Sequence, residues 1–179
     1  MGSGKSTVGG LLSSELGWPL VDTDALVEQR AGRSIPELFR ALGEPAFRQM
    51  ESEALASLTA RRQVVVATGG GAPAQPRNRA FFPGDGTVPQ AVFHLRVSLE
   101  TARQRAGVKP GRPLLELEEP ALHRLYESRQ AIYESLGIGV ETEGKTPQQI
   151  AGEIIARIRN PSRPPSAPSG DSGRPAASG

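Results

Sequence analysis

The chain has 179 residues, a formal net charge of +2 and no cysteine, so it is long enough for one domain with a sizeable core and cannot form disulfides or thiolate metal sites. It contains no run of about 18 apolar residues that could cross a membrane and no charged-then-apolar leader. A reducing, cytoplasmic setting without a membrane partner is therefore expected. Arginine far outnumbers lysine, which occurs only at Lys5, Lys109 and Lys145. No basic cluster is interleaved with aromatics, so no nucleic-acid partner is expected.

The chain opens on Met1-Gly2-Ser3-Gly4-Lys5-Ser6-Thr7, the G-x-x-x-x-G-K-[ST] pattern of a phosphate-binding loop entered partway, with its first glycine two residues ahead of Met1. Backbone N–H groups at such a helix start wrap an anionic phosphate. Lys5 then reaches the β- and γ-phosphates, and the Ser6 hydroxyl is a ligand for Mg²⁺. The same letters fit a myristoylation signal, but Lys5 and the features downstream favour a phosphate site.

A helix is expected from Thr7 to Leu16, with Val8, Leu11, Leu12 and Leu16 on one face and Gly17 as its stop. Trp18 to Val21 reads as a short strand ending in Asp22-Thr23-Asp24. Ser34-Ile35-Pro36-Glu37 has the form of a capping box, and Gly43 breaks the pattern before a long helix over 44–61. Gln63 to Thr68 is β-branched and continuous enough to be buried on both faces, and it runs into Gly69-Gly70-Gly71. A short helix comes after Pro76, and Pro83-Gly84-Asp85-Gly86 marks a turn. Ala91 to Val97 is a second buried-type strand, after which Ser98 caps a helix holding Arg103 and Arg105. Residues 107–119 read as a mobile loop, 120–136 as a helix, 138–142 as the last strand and 147–159 as the closing helix.

Alternating strands and helices predict an α/β fold with a parallel sheet over residues 1–159. Beyond it, 13 of the 20 residues from Asn160 onward are Pro, Ser or Gly, so residues 160–179 are expected to stay disordered.

Four features carry chemistry. The first is the phosphate loop. The second is the pair Asp22 and Asp24 at the carboxyl end of a strand, where open α/β sheets bind ligands. One acid suits a place near Mg²⁺ and the other a place near an acceptor hydroxyl. The plainer reading of Asp24 is a helix N-cap. The third is the glycine triplet, whose backbone can approach a small ligand or simply turn the chain. The fourth is a set of arginines on four elements: Arg48, Arg105, Arg112 and Arg129. Arg112-Pro113-Leu114-Leu115 sits inside the loop as a lid segment would, and arginine suits both phosphoryl groups and carboxylates. Any one of these arginines alone could be a solvated surface residue. His94, in an apolar strand, reads as a satisfied core or edge residue, His123 as a helix-surface one, and Phe81-Phe82 as local packing. Two histidines without H-E-x-x-H spacing argue against a protein-held zinc.

Taken in order, the phosphate loop, Asp22-Thr23-Asp24, Gly32-Arg33-Ser34-Ile35, Phe47-Arg48 with Glu51, Gly69-Gly70-Gly71-Ala72, Arg112-Pro113-Leu114-Leu115 and Arg129 with Tyr133 closely resemble shikimate kinase over about residues 1–158. The resemblance implies transfer of the ATP γ-phosphoryl group to the 3-hydroxyl of shikimate, in chorismate and aromatic amino-acid synthesis, by a monomer. It implies that Gly2, Ser3, Gly4, Lys5, Ser6 and Thr7 hold the phosphates and that Ser6 and Asp22 serve Mg²⁺. Asp24 would contact the shikimate hydroxyls as general base, and Lys5 and the lid residue Arg112 would support transfer. Arg48 and Arg129 would grip the carboxylate, Gly70 and Gly71 would contact substrate through backbone, and Phe39 and Phe47 would line its pocket, with Pro113 and Leu114 closing over it. Arg105 and Pro147 would lie on the nucleotide side. The family's sheet has the order 2-3-1-4-5 with a strand ahead of the phosphate loop at its centre. The resemblance thus implies that this chain, starting inside the loop, lacks that strand and exposes edges on 63–68 and 91–97. Two other readings stay open: a related kinase of small molecules such as gluconate kinase, which Arg48, Arg129 and the glycine triplet disfavour, and a binding or regulatory protein of this family without turnover.

Overall fold

The structure is a computed structural model that describes residues 2–82, 91–106 and 119–160. Among these residues four short strands alternate with six α-helices. They are α1 (Lys5–Leu16), β1 (Leu20–Asp22), α2 (Thr23–Ala31), α3 (Ile35–Ala56), β2 (Val65–Ala67), β3 (Phe93–Arg96), α4 (Leu99–Ala106), α5 (Glu119–Leu136), β4 (Ile138–Glu141) and α6 (Pro147–Arg159). Two 3-10 turns, Ala72–Ala74 and Pro76–Phe81, lie between β2 and β3.

Every pairing is parallel, as the alternation of elements predicts. β1 pairs with β2, with Leu20 opposite Val65 and Asp22 opposite Ala67; β3 pairs with β4, with Phe93 opposite Ile138 and Arg96 opposite Glu141. In the family order 2-3-1-4-5 that the resemblance implies, β1–β2 takes the place of the pair 2-3 and β3–β4 that of the pair 4-5. Among the described residues no strand joins them, and the edges of β2 and β3 border a groove of about 390 Å³ that also reaches Val8, Leu12 and Ile154. That geometry corrects the expectation that 63–68 is buried on both faces: Val65 and Val66 are only half-buried, because the side of β2 away from β1 faces this groove.

Three apolar clusters hold the frame. Val8 and Leu12 of α1, Leu95 of β3, Val140 of β4 and Ile150, Ile154 and Ile155 of α6 form one. Val27 of α2 packs with Leu38, Phe47 and Ala54 of α3 in a second, and Leu55, Ala72 and Phe82 form a third. Each deeply buried Leu, Ile or Phe contributes about 1.5–3 kcal/mol of transfer free energy. Phe81 packs beside Phe82, as the local-packing reading holds.

Helix ends obey their sequence signals. The Ser34 N–H donates to the Glu37 carboxylate at 2.8 Å, completing the expected box at α3, and a second box joins Thr146 and Gln149 at α6. The break at Gly43 is real: its φ of 78° lies in the left-handed region, which glycine enters without a Cβ penalty, and Pro45 starts the second half of α3. That half ends at Ala56 rather than Arg61, because residues 57–60 turn back toward β2. The Pro83–Gly86 turn, the 107–118 part of the loop and the tail beyond Asn160 lie outside the described residues.

Candidate active site

The phosphate loop leads into α1 through Gly4, whose φ of 87° again needs glycine, and Val8 N–H closes the first helical turn on the Gly4 carbonyl at 2.9 Å. Ser3 is buried, and the Lys5 ammonium donates to its hydroxyl at 3.3 Å. Lys5, Ser6 and Thr7 therefore sit in the first turn of a helix, where backbone N–H groups lack intrahelical partners and the helix dipole favours an anion.

Asp22 ends β1 and serves two directions. One carboxylate oxygen accepts the backbone N–H groups of Asp24 and Ala25 at 2.9 and 3.4 Å, capping α2; the other accepts the Ser6 hydroxyl at 3.4 Å. The capping role considered for Asp24 thus belongs to Asp22, because Asp22 is the residue still in extended conformation. Asp24, inside the first turn, is left to point elsewhere. The Ser6–Asp22 pair offers hard oxygen donors at the mouth of the phosphate loop. This suits Mg²⁺, which keeps several waters and needs no all-protein cage; among the described residues no three His, Cys, Asp or Glu side chains are placed to hold a metal ion together.

The glycine triplet is where separate elements meet. The Gly69 N–H donates to the hydroxyl of fully buried Thr23 at 3.0 Å, fastening the end of β2 to the start of α2. A methyl group on Gly69 would collide with the Asp24 carboxylate and approach Glu51 Oε1 to 2.8 Å; one on Gly71 would collide with the Arg48 guanidinium. The absence of a Cβ at Gly69 and Gly71 thus lets an acid and a cation close over bare backbone. The Tyr133 hydroxyl, from α5, donates to the Gly70 carbonyl.

Arg48 is held at three points. Its Nη1 donates to Glu51 at 3.0 Å, and its Nε and Nη2 donate to one Glu44 oxygen at 3.1 and 2.9 Å. Glu51 is 1% exposed, so the Arg48–Glu51 pair is largely desolvated, whereas Glu44 is open to water. Arg48 also lies 5.3 Å over the ring of Phe47, which packs at 4.7 Å from Phe39; Phe47 itself is buried in the α2–α3 core. Arg129 has a buried Nε without a hydrogen-bond partner among the described residues, and it lines a pocket of about 150 Å³ with Lys5, Gly70, His94 and Tyr133. A buried guanidinium nitrogen left in this state fits an anionic ligand.

Charges in the site shift one another. Burial pushes the Asp24 carboxyl above its ordinary value, and neighbouring Asp22 pushes it further, against the pull of Lys5 and Arg48. Burial likewise raises Glu51, opposed by Arg48. Burial disfavours the charged form of Arg48, but its bonds to Glu51 and Glu44 outweigh that and keep it protonated.

The structure therefore brings Lys5, Ser6, Asp22, Asp24, Arg48, Gly70, Gly71 and Arg129 to one end of the strands. Arg105 turns instead toward the segment after β4, donating to the Thr142 hydroxyl and carbonyl at 3.2 and 3.3 Å, and Pro147 opens α6 a few residues on. Arg112, Pro113 and Leu114 lie outside the described residues. Thr23, Glu44, Glu51 and Tyr133 join the site without having been assigned roles; the i,i+4 and i,i+3 spacings of Glu44 and Glu51 from Arg48 were the available signals for two of them. His94 departs from its expected satisfied state. Its Nδ1 is buried without a partner among the described residues, and the ring lies against Tyr133, 5.0 Å centroid to centroid. His123 is exposed on α5, as expected.

Comparison with known proteins bears on the family and the fold. The shikimate kinase family model matches residues 1–159. The shikimate kinase of Persephonella marina is 40% identical over 159 residues, covering 89% of this chain and 94% of that protein. That of Moorella thermoacetica is 42% identical over 161 residues, covering 89% and 90%. The solved shikimate kinase from Acinetobacter baumannii in complex with shikimate superposes with a TM-score of 0.82 at 35% identity, covering 90% of each chain. With a family model spanning nearly all of the described fold, and with relatives of this identity matched over most of both chains, the protein belongs to the shikimate kinase family.

Proposed function

We propose that this chain transfers the γ-phosphoryl group of ATP to the 3-hydroxyl of shikimate. The observation that carries the reading is the meeting of one raised carboxylate, Asp24, and one desolvated guanidinium, Arg48, over the glycine triplet beside the phosphate loop. An anionic, polyhydroxylated acceptor needs that combination: cations for its carboxylate and an acid for its hydroxyl. The assignment also draws on a relative's structure in complex with shikimate.

In this reading Gly2 to Thr7 wrap the donor phosphates and Lys5 neutralises them. Ser6 and Asp22 would hold Mg²⁺, which when bound offsets charge on the phosphate oxygens. Arg48 and Arg129 fix the acceptor carboxylate, Gly70 and Gly71 meet it through backbone, and Phe39, tilted against Phe47, shapes the wall. Asp24 accepts the proton of the attacking hydroxyl. Arg105 and Pro147 belong to the nucleotide side, Arg112 supports phosphoryl transfer, and the working unit is a monomer in the cytoplasm. Phosphoryl transfer asks mostly for positioning and charge neutralisation, which this set supplies.

A coupled ADP-release assay tests it. Release should depend on shikimate and be absent with gluconate. Shikimate binding without ADP release would instead support a non-catalytic family member, and release with gluconate a different acceptor.

One further result is expected from Arg48. In the free protein Glu44 takes the Nε–Nη2 edge that a substrate carboxylate would use with two parallel bonds. Removing an exposed competitor of this kind should lower the shikimate KM by about two- to fivefold in Glu44→Gln. The turnover number should not change. A raised KM would mean that Glu44 aids binding rather than competing with it.

A further inference from the structure

Tyr133 stands one helical turn after Arg129 on α5, so the two side chains share a face of the helix and line the same pocket as Gly70. The Tyr133 hydroxyl donates to the Gly70 carbonyl, and its ring is tilted 54° against His94 of β3. Three separated pieces of chain thereby meet at Tyr133: β3 through His94, α5 through Tyr133 itself, and the segment after β2 through Gly70. We propose that Tyr133 is a positioning residue for the phosphoryl acceptor, acting through the Gly70–Gly71 peptide. The inference rests on the reading that Gly70 and Gly71 meet shikimate through backbone.

A peptide unit is planar and trans, so the Gly70 carbonyl and the Gly71 N–H point in opposite directions within one rigid plane. Two adjacent glycines have no side chains to hold that plane and the widest choice of dihedrals. A hydroxyl fixed on the carbonyl removes the freedom and aims the Gly71 N–H. On the other side, Gly71 abuts the Arg48 guanidinium, so the peptide is set between α3 and α5. The hydroxyl remains a donor at working pH, since burial pushes the phenol above its ordinary value against the pull of Arg129. His94 serves as the ring's backing. Burial and then Arg96 lower its pKa, which favours the neutral imidazole against the phenol.

The test separates donor from ring. Tyr133→Phe keeps the ring on His94 and deletes the hydroxyl, and Tyr133→4-aminophenylalanine restores an N–H donor at the same place. With shikimate and ATP varied separately, Tyr133→Phe should raise the shikimate KM by about 3–10-fold while the ATP KM stays within about twofold. The thermal midpoint should hold, and the amino variant should recover most of the shikimate KM. An unchanged shikimate KM in Tyr133→Phe overturns the inference, as does an equal rise in both KM values or a failure of the amino variant to recover. Loss of shikimate turnover in the parent protein would overturn the substrate reading and this inference together. A normal parent with an indifferent Tyr133→Phe overturns this inference alone.

Discussion

Asp24→Asn is expected to lose about 10²–10⁴-fold in turnover while ATP affinity is retained. The amide keeps the size and the place of the carboxylate beside Gly69 but cannot take a proton from the attacking hydroxyl. Nucleotide affinity should persist, because Gly4, Lys5 and Ser6 lie on α1 and its loop, whose first turn closes from Val8 onto Gly4 without Asp24. Two further readouts separate chemistry from damage. The folded-state pKa of Asp24 is raised by burial and by Asp22, so the folded protein binds that proton more tightly than the unfolded chain does. Stability from this group is therefore present at acid pH and lost as pH rises through the raised pKa. A neutral amide escapes that loss, and Asp24→Asn should melt at or above the parent's midpoint at neutral pH. In the parent, activity needs the ionised form and should fall as the medium is acidified through the same raised pKa. That acid limb should be absent from any residual activity of the variant. Wild-type-like turnover in Asp24→Asn would remove Asp24 from the mechanism.

Much of this site was legible because its parts are local in sequence. The phosphate loop, the acids after β1, the glycines after β2 and the capping boxes each depend on residues within a few positions, where spacing determines geometry. The strand pairing came from alternation of elements, since a parallel pair needs a crossover and the helices supply it. The resemblance put Asp22 at the metal and Asp24 at the hydroxyls, but the residues by themselves did not say which acid caps the helix. Asp22 and Asp24 are chemically identical, and only the point where extended backbone becomes helix made Asp22 the cap and freed Asp24. Long-range partners were illegible for a different reason. Nothing local in Tyr133, Thr23 or His94 says that their neighbours lie 63, 46 and 39 residues away, at Gly70, Gly69 and Tyr133. Burial of β2 was overestimated because an apolar, β-branched run reports what a strand could bury and not what lies beside it. Among the described residues the groove runs along the edge that the resemblance, not the apolar run, implied would be exposed.

The buried pair beneath the site gives the second large effect. Glu51 is 1% exposed, its Oε2 accepts Arg48 Nη1 at 3.0 Å, and its other oxygen lies against Gly69 near Asp24. Replacing one member of a desolvated pair leaves the other charge without its partner. Glu51→Leu should therefore cost about 3 kcal/mol, toward the lower end for buried pairs because Arg48 retains Glu44. For a domain of this size that lowers the thermal midpoint by roughly 6–12 °C. The shikimate KM should rise in the same variant, because Arg48 loses the anchor that sets its guanidinium against Gly71. Glu51→Gln distinguishes charge from shape: its amide oxygen can still accept from Arg48, so it should lose less than the leucine variant. The sign of its pH dependence is fixed by burial, which raises the Glu51 pKa in the folded state more than Arg48 lowers it. The parent thus loses stability as pH rises through that raised value, whereas the amide does not. The deficit of Glu51→Gln should then narrow as pH rises above the ordinary carboxylate range. Chemical denaturation of the three proteins at two pH values measures this directly. A deficit that widens with pH would mean that the ionised pair is a net stabilising element, and that attraction to Arg48 outweighs the desolvation of Glu51.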